Sequence, residues 1–173
     1  MSRMFDFKVL HSTGAARRGQ MRTAHGIVET PAFMPVGTGG AVKSVTQRNL
    51  QELGAQMLMA NTYHLSLRPG AELIARRGGL HRYMAWDRPI MTDSGGYQVF
   101  SLASRRTIND DGATFQSHID GRECRLTPED VATIQWRLGS DIAMVFDECE
   151  AYPSSVEATR RAMERTLRWA SRA

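Results

Sequence analysis

Asp93 is followed by Ser94, Gly95, Gly96 and Tyr97, and these five residues have the chemistry of a site for a planar, polar ligand. The apolar pair Ile90-Met91 delivers a carboxylate to the end of a short strand. Gly95 and Gly96 remove side chains that would keep a ligand away from the backbone, and Tyr97 offers a flat aromatic face. The same residues also suit a tight turn in which Asp93 caps the next element and Tyr97 is buried. Residue types and spacing alone leave both readings open.

The elements that must position this stretch come from the rest of the chain. Phe5 to Val9 alternates apolar and polar residues, Gly14 to Gly19 reads as a turn, and Gly26 to Thr30 reads as a second strand. Residues 1–30 are therefore expected to form an antiparallel flap. From Pro31 onward, apolar runs at 32–36, 56–60, 90–93 and 141–146 alternate with helical segments. Thr46 is an expected N-cap, with Leu50 and Leu53 on the inner face and Gly54 as the stop. Another helix is expected after Pro69-Gly70, with Leu73 and Ile74 inside and Gly78-Gly79 as terminator.

Asp-Gly pairs flank an alternating run between Thr107 and Arg125, the signal for an inserted hairpin. Thr127, Pro128, Glu129 and Asp130 open a helix whose inner stripe is Val131, Ile134 and Leu138, closed by Gly139. Ser154 and Glu157 suggest a capping box for the last helix, which is expected to bury Val156, Met163, Leu167 and Ala170. Glu157/Arg161 and Glu164/Arg168 are expected ion pairs on its outer face.

Continuous apolar strands separated by helices indicate a parallel sheet covered by helices. The polar residues with chemical potential fall at strand C-terminal ends: Thr38, Asn61 with His64, Asp93 and Asp147. In a barrel of alternating strands and helices, that rim carries the active site. A full barrel needs roughly 250 residues. The 173 residues here suffice for an open doubly wound sheet or for half of a barrel.

Composition sets wider bounds. A chain that is 42% hydrophobic and 23% charged is globular in type. Its net charge of +4 and pI near 9.5 are compatible with a nucleic-acid partner without requiring one. Only Lys8 and Lys43 are lysines, so arginine supplies nearly all the basic side chains. Cys124 and Cys149 are too far apart for a metal-ligand pair and too few for a disulfide framework. Met1 to Leu10 lacks an apolar core of signal-peptide length and no segment approaches a membrane span, so a cytoplasmic location is expected.

Longer motifs narrow the reading. They are Thr30 to Thr38, Asn61 to Leu65, Leu67 to Gly70, Trp86 to Ile90, Thr92 to Val99, Phe115 to His118 with Asp120-Gly121, Gly139 to Ile142, and Phe146 to Cys149. Through them the chain resembles the N-terminal half of the tRNA-guanine transglycosylase family, in its bacterial form. The resemblance implies an incomplete (β/α)8 TIM-type barrel with about four βα units. The flap would span 1–30 and the half-barrel 31–173, with the inserted hairpin at 107–125.

The implied activity replaces guanine at the anticodon wobble position with 7-aminomethyl-7-deazaguanine, by covalent double displacement. Asp93 would be the general acid/base. Ser94, Gly95, Gly96 and Tyr97 would line the base pocket, with Tyr97 stacking on the base. Asp147 would read the base edge, Cys149 would belong to the same substrate-binding set, and Asn61 would orient the nucleophile. An acid/base carboxylate close to a second carboxylate in a partly dry pocket should have a raised pKa.

The implied partners are tRNA with a GUN-type anticodon and a 7-deazaguanine base, with a homodimer at full length. The family's nucleophile and zinc ligands are expected in a C-terminal half absent from this sequence. No cofactor, no metal and no exchange activity are therefore expected of the chain alone. The competing expectation is a non-catalytic half or subunit that binds tRNA or base and needs a complementary chain.

Overall fold

A computed structural model describes residues 5–102 and 105–173. Three strands open the chain: β1 (Asp6–Thr13), β2 (Ala16–Thr23) and β3 (Gly26–Thr30), paired antiparallel in that order. The turn expected over Gly14 to Gly19 is shorter, because Ala16 to Gly19 belong to β2. Arg18 explains the difference, since its guanidinium reaches across to Glu29 on β3 at 3.4 Å and so acts as a strand residue.

The parallel sheet begins at β4 (Val36–Gly37), followed by α1 (Gln47–Glu52). Thr46 caps α1 by accepting the Asn49 N–H, and Leu50 is buried. Leu53 is exposed, contrary to expectation, because the helix has already ended there. Next come β5 (Leu58–Asn61), α2 (Thr62–Leu67), α3 (Ala71–Arg76) and α4 (Gly79–Met84). Gly78 and Gly79 thus end one helix and open another, a role their positive φ angles of 93° and 85° permit. β6 (Ile90–Asp93) and α5 (Gly96–Leu102) follow.

The excursion expected as a hairpin is a three-stranded antiparallel meander of β7 (Arg106–Asn109), β8 (Gly112–Gln116) and β9 (Glu123–Leu126). It leads into α6 (Pro128–Leu138), where Thr127 and Asp130 form a reciprocal capping box and Gly139 closes the helix with a φ of 71°. The chain ends with β10 (Ile142–Ala143) and α7 (Val156–Ala170).

Sheet order is β10-β6-β5-β4, and every pairing within it is parallel. The fold is mixed α/β, and the described residues show no closed barrel. The two edge strands are shorter than their apolar runs suggest. Pro31 and Pro35 lack N–H donors, and Phe33 is exposed rather than buried. On the other edge, Met144 donates its N–H to the Thr92 carbonyl at 3.1 Å, but its side chain and that of Val145 are exposed.

Two apolar clusters hold the layers together. One joins Leu58 and Ile90 of the sheet to Leu65, Ile74, Leu80, Trp86 and Leu138. Each such fully buried aliphatic side chain contributes roughly 2 kcal/mol of transfer free energy. The second packs Tyr63, Val99, Phe115, Val131, Phe146 and Trp169 under the meander.

Helix α7 docks differently from its expected stripe. Val156 is 78% exposed and Met163 and Leu167 also face outward, while Ala162 and Trp169 are buried. Trp169 stacks on Phe146 at 4.9 Å and donates its indole N–H to the Asp110 carbonyl at 2.8 Å. Its N-cap is Ser155, not Ser154, which puts Glu157 one position too early for a capping box. Glu157 pairs with Arg161 as expected, but Arg168 turns to Asp110 in the meander at 2.8 Å.

Candidate active site

The parallel register places Asn61 beside Asp93 at the C-terminal ends of β5 and β6. Asn61 is the N-cap of α2, its Oδ1 accepting the His64 N–H at 3.0 Å. That bond fixes the amide orientation, so Nδ2 points across the sheet and donates to Asp93 Oδ2 at 2.5 Å. The Thr62 N–H donates to the other carboxylate oxygen at 3.2 Å.

Burial raises the Asp93 pKa above the usual carboxylate value. The Thr62, Asn61 and Gly95 donors oppose that rise, and the nearby charge of Asp147 adds to it. The raised value is the one anticipated for an acid/base carboxylate.

Asp147 arrives from the segment after β10, which is fixed residue by residue. Phe146 enters the core beneath Trp169. Glu148 is tied to α7 by its N–H to Thr166 Oγ1 at 3.0 Å and by the Arg165 guanidinium at 2.5 Å. Asp147 is left pointing the other way, onto the loop after β6. Ser94 Oγ donates to Asp147 Oδ1 at 2.8 Å, and Cys149 Sγ donates to Oδ2 at 3.3 Å. Burial, reinforced by the Asp147 carboxylate, pushes the Cys149 thiol up to about 12. Cys149 is thus a protonated donor that orients Asp147.

The two glycines have separate reasons. Gly95 adopts a φ of 84°, and a Cβ there would lie 2.8 Å from Tyr63 Cβ. Gly96 lies under Asp147 so closely that a Cβ would collide with both its carboxylate and its carbonyl. Tyr97, on the first turn of α5, is 61% exposed with its ring free to meet a ligand. Of the capped-turn reading, the buried tyrosine is absent, since Tyr97 is exposed, while the Asp93 side chain accepts the Gly95 N–H just ahead of α5 as well as engaging β5 and α2.

All eight sequence-derived residues therefore gather around β5, β6 and the 146–149 segment. Asn61 acts directly on Asp93, a contact the sequence did not reveal. Thr38, after β4, is exposed and has no evident role beyond its position at the rim. Sequence reading missed Tyr63 and His118, joined by a 2.9 Å hydrogen bond, with the His64 ring 5.4 Å from that of His118. Burial, then the proximity of His118, lowers the pKa of His64. Their motifs carried the signal, but a pairing across 55 positions has no local signature. Gln98 Oε1 is buried one residue beyond Tyr97 without a partner among the described residues.

The family model for queuine tRNA-ribosyltransferase matches residues 12–173. This chain belongs to the queuine tRNA-ribosyltransferase family. The queuine tRNA-ribosyltransferase of Syntrophobacter fumaroxidans is 57% identical over 169 residues, covering 96% of this chain and 45% of that protein. The relative from Desulforudis audaxviator is 54% identical over 173 residues, and that from Moorella thermoacetica is 58% identical over 159. The chain spans 46% and 42% of those two queuine tRNA-ribosyltransferases, so it represents about half of the length typical of such relatives. Among the described residues, no helix is long and apolar enough to cross a membrane.

Proposed function

We propose that the Asp93–Asp147 rim binds guanine and a 7-deazaguanine, and that it serves exchange of one for the other at the wobble position of tRNA. The observation that carries this reading is the convergence of two carboxylates over a side-chain-free glycine floor. One is held at a raised pKa, and the other is oriented through both of its oxygens. A guanine-type edge presents adjacent N–H donors. Asp147 retains lone pairs beyond those used by Ser94 and Cys149, so it can accept them with charge-assisted bonds. The exposed Tyr97 ring supplies the platform that a base removed from its stack requires.

In the proposed sequence a carboxylate from polypeptide beyond these 173 residues attacks the ribose C1′. An ester bond to C1′ forms as the glycosidic bond to guanine breaks, and Asp93 donates its proton to the departing base. The incoming 7-deazaguanine then loses its N9 proton to Asp93 and attacks C1′, which releases the enzyme carboxylate and restores Asp93 to its starting state. A raised pKa keeps Asp93 competent for both transfers. Asn61, through its bond to Asp93 Oδ2, aims the carboxyl group rather than the nucleophile. 7-Aminomethyl-7-deazaguanine, a GUN-type anticodon and a homodimeric state belong to the same proposal through the family resemblance. The zinc of that resemblance is likewise assigned to polypeptide beyond these residues.

The test is exchange of labelled guanine into tRNA by the natural polypeptide that carries these residues. Asp93→Asn abolishes turnover while tRNA binding persists, and the 173-residue chain alone gives no turnover. Parental turnover by Asp93→Asn, or turnover by the 173 residues alone, contradicts the proposal.

A further inference from the structure

At the opposite ends of the strands, three side chains from three segments meet. His25 lies in the turn between β2 and β3, His81 lies in α4, and Asp141 immediately precedes β10. His25 Nδ1 is 2.8 Å from Asp141 Oδ1, and His81 Nε2 is 3.0 Å from Oδ2. All three candidate ligand atoms lie within 4.8 Å of one another. The imidazoles stack with centroids 3.6 Å apart and planes at 17°, so the more exposed His25 ring must turn out of the stack for both in-plane nitrogen lone pairs to reach one ion.

We infer that His25, His81 and Asp141 form a binding site for a divalent transition-metal ion of the zinc class. Two imidazole nitrogens and one carboxylate are a sufficient set, with a water completing the tetrahedron. The site is built rather than incidental. The Asp141 side chain is 1% exposed and anchored by backbone donors, Ile90 N–H at 2.9 Å and His25 N–H at 3.2 Å. Such donors around a ligating carboxylate fix its orientation before the ion arrives. The His25 side chain is 41% exposed, which leaves an entry path from solvent.

Binding replaces the protons that His25 Nδ1 and His81 Nε2 can share with Asp141, so the neutral imidazoles are the ligating forms. The bound ion would staple the β2–β3 turn to the base of the parallel sheet. This site is separate from the Asp93 rim and does not depend on the function proposed for it. Its three ligands are scattered through the chain, so no sequence spacing announces it.

Co²⁺ titration of the natural-length polypeptide, followed by visible absorption, provides the test. The parent is compared with a His25→Ala/His81→Ala double variant, so that metal held elsewhere is common to both and cancels. The parent is expected to bind one more equivalent, with d–d bands of nitrogen and oxygen ligation. Zn²⁺ is expected to raise the thermal midpoint of the parent more than that of the variant. His25→Gln, a change in a partly exposed turn, keeps the test valid should the double variant fail to fold, and is expected to weaken Co²⁺ about 100-fold. Equal stoichiometry, affinity and midpoint shift in parent and variants would overturn the inference and leave the triad as a hydrogen-bonded clamp.

Discussion

Asn61 and Asp93 sit side by side on adjacent parallel strands, and the Asn61 amide donates to Asp93 Oδ2 at 2.5 Å while its own oxygen caps α2. One side chain thus couples the start of a helix to the orientation of the candidate acid/base. Asn61→Ala removes both bonds and is expected to cost ~1–3 kcal/mol of stability. It also removes a donor that favours the ionised carboxylate, so the Asp93 pKa rises further. Urea unfolding measures the first effect, and NMR titration of the Asp93 side-chain carboxyl carbon measures the second.

The raised pKa of Asp93 sets the sign of a pH effect. Between the ordinary carboxylate value, about 3.9, and the raised one, the folded chain holds a proton that the unfolded chain has released. The Asp93 contribution to stability therefore falls as pH rises through that window and is flat above it. Because other carboxylates respond in the opposite direction, the quantity to measure is parent minus Asp93→Asn in urea midpoint. That difference should decline with pH, and a rise would contradict the assignment.

Cys149 offers a chemical readout of Asp147. With its thiol pushed up to about 12, Cys149 should resist iodoacetamide at pH 8. Asp147→Asn removes the neighbouring negative charge and leaves burial as the principal cause of the shift. Alkylation of Cys149 in that variant, followed by peptide mass spectrometry, should be faster than in the parent.

Local rules made much of this architecture legible. Thr127-Pro128 and Gly139 bound α6 as written, because caps depend on a few neighbouring residues. The parallel strands and the placement of Asn61, Asp93 and Asp147 at their ends were readable from apolar runs that stop on polar residues. Helix α7 was misread because Val156, Met163 and Leu167 form the more obvious stripe, whereas Trp169 is drawn inward by Phe146 and the Asp110 carbonyl. Those partners lie distant in sequence. The same holds at the site. The glycines showed in the sequence, but that Gly96 makes room for Asp147, and that Ser94 and Cys149 hold that carboxylate from two sides, emerges only when β6 and β10 are adjacent.

In the function proposed above, Asp147, over the Gly96 floor, reads the donor edge of a guanine-type base. Equilibrium dialysis of labelled guanine against the natural-length polypeptide, with Asp147→Asn in parallel, tests it most directly. Loss of two charge-assisted bonds should weaken binding about 100-fold, and adenine should fail to displace guanine from the parent. Unchanged affinity in Asp147→Asn, or displacement by adenine as effective as by guanine itself, would contradict the account.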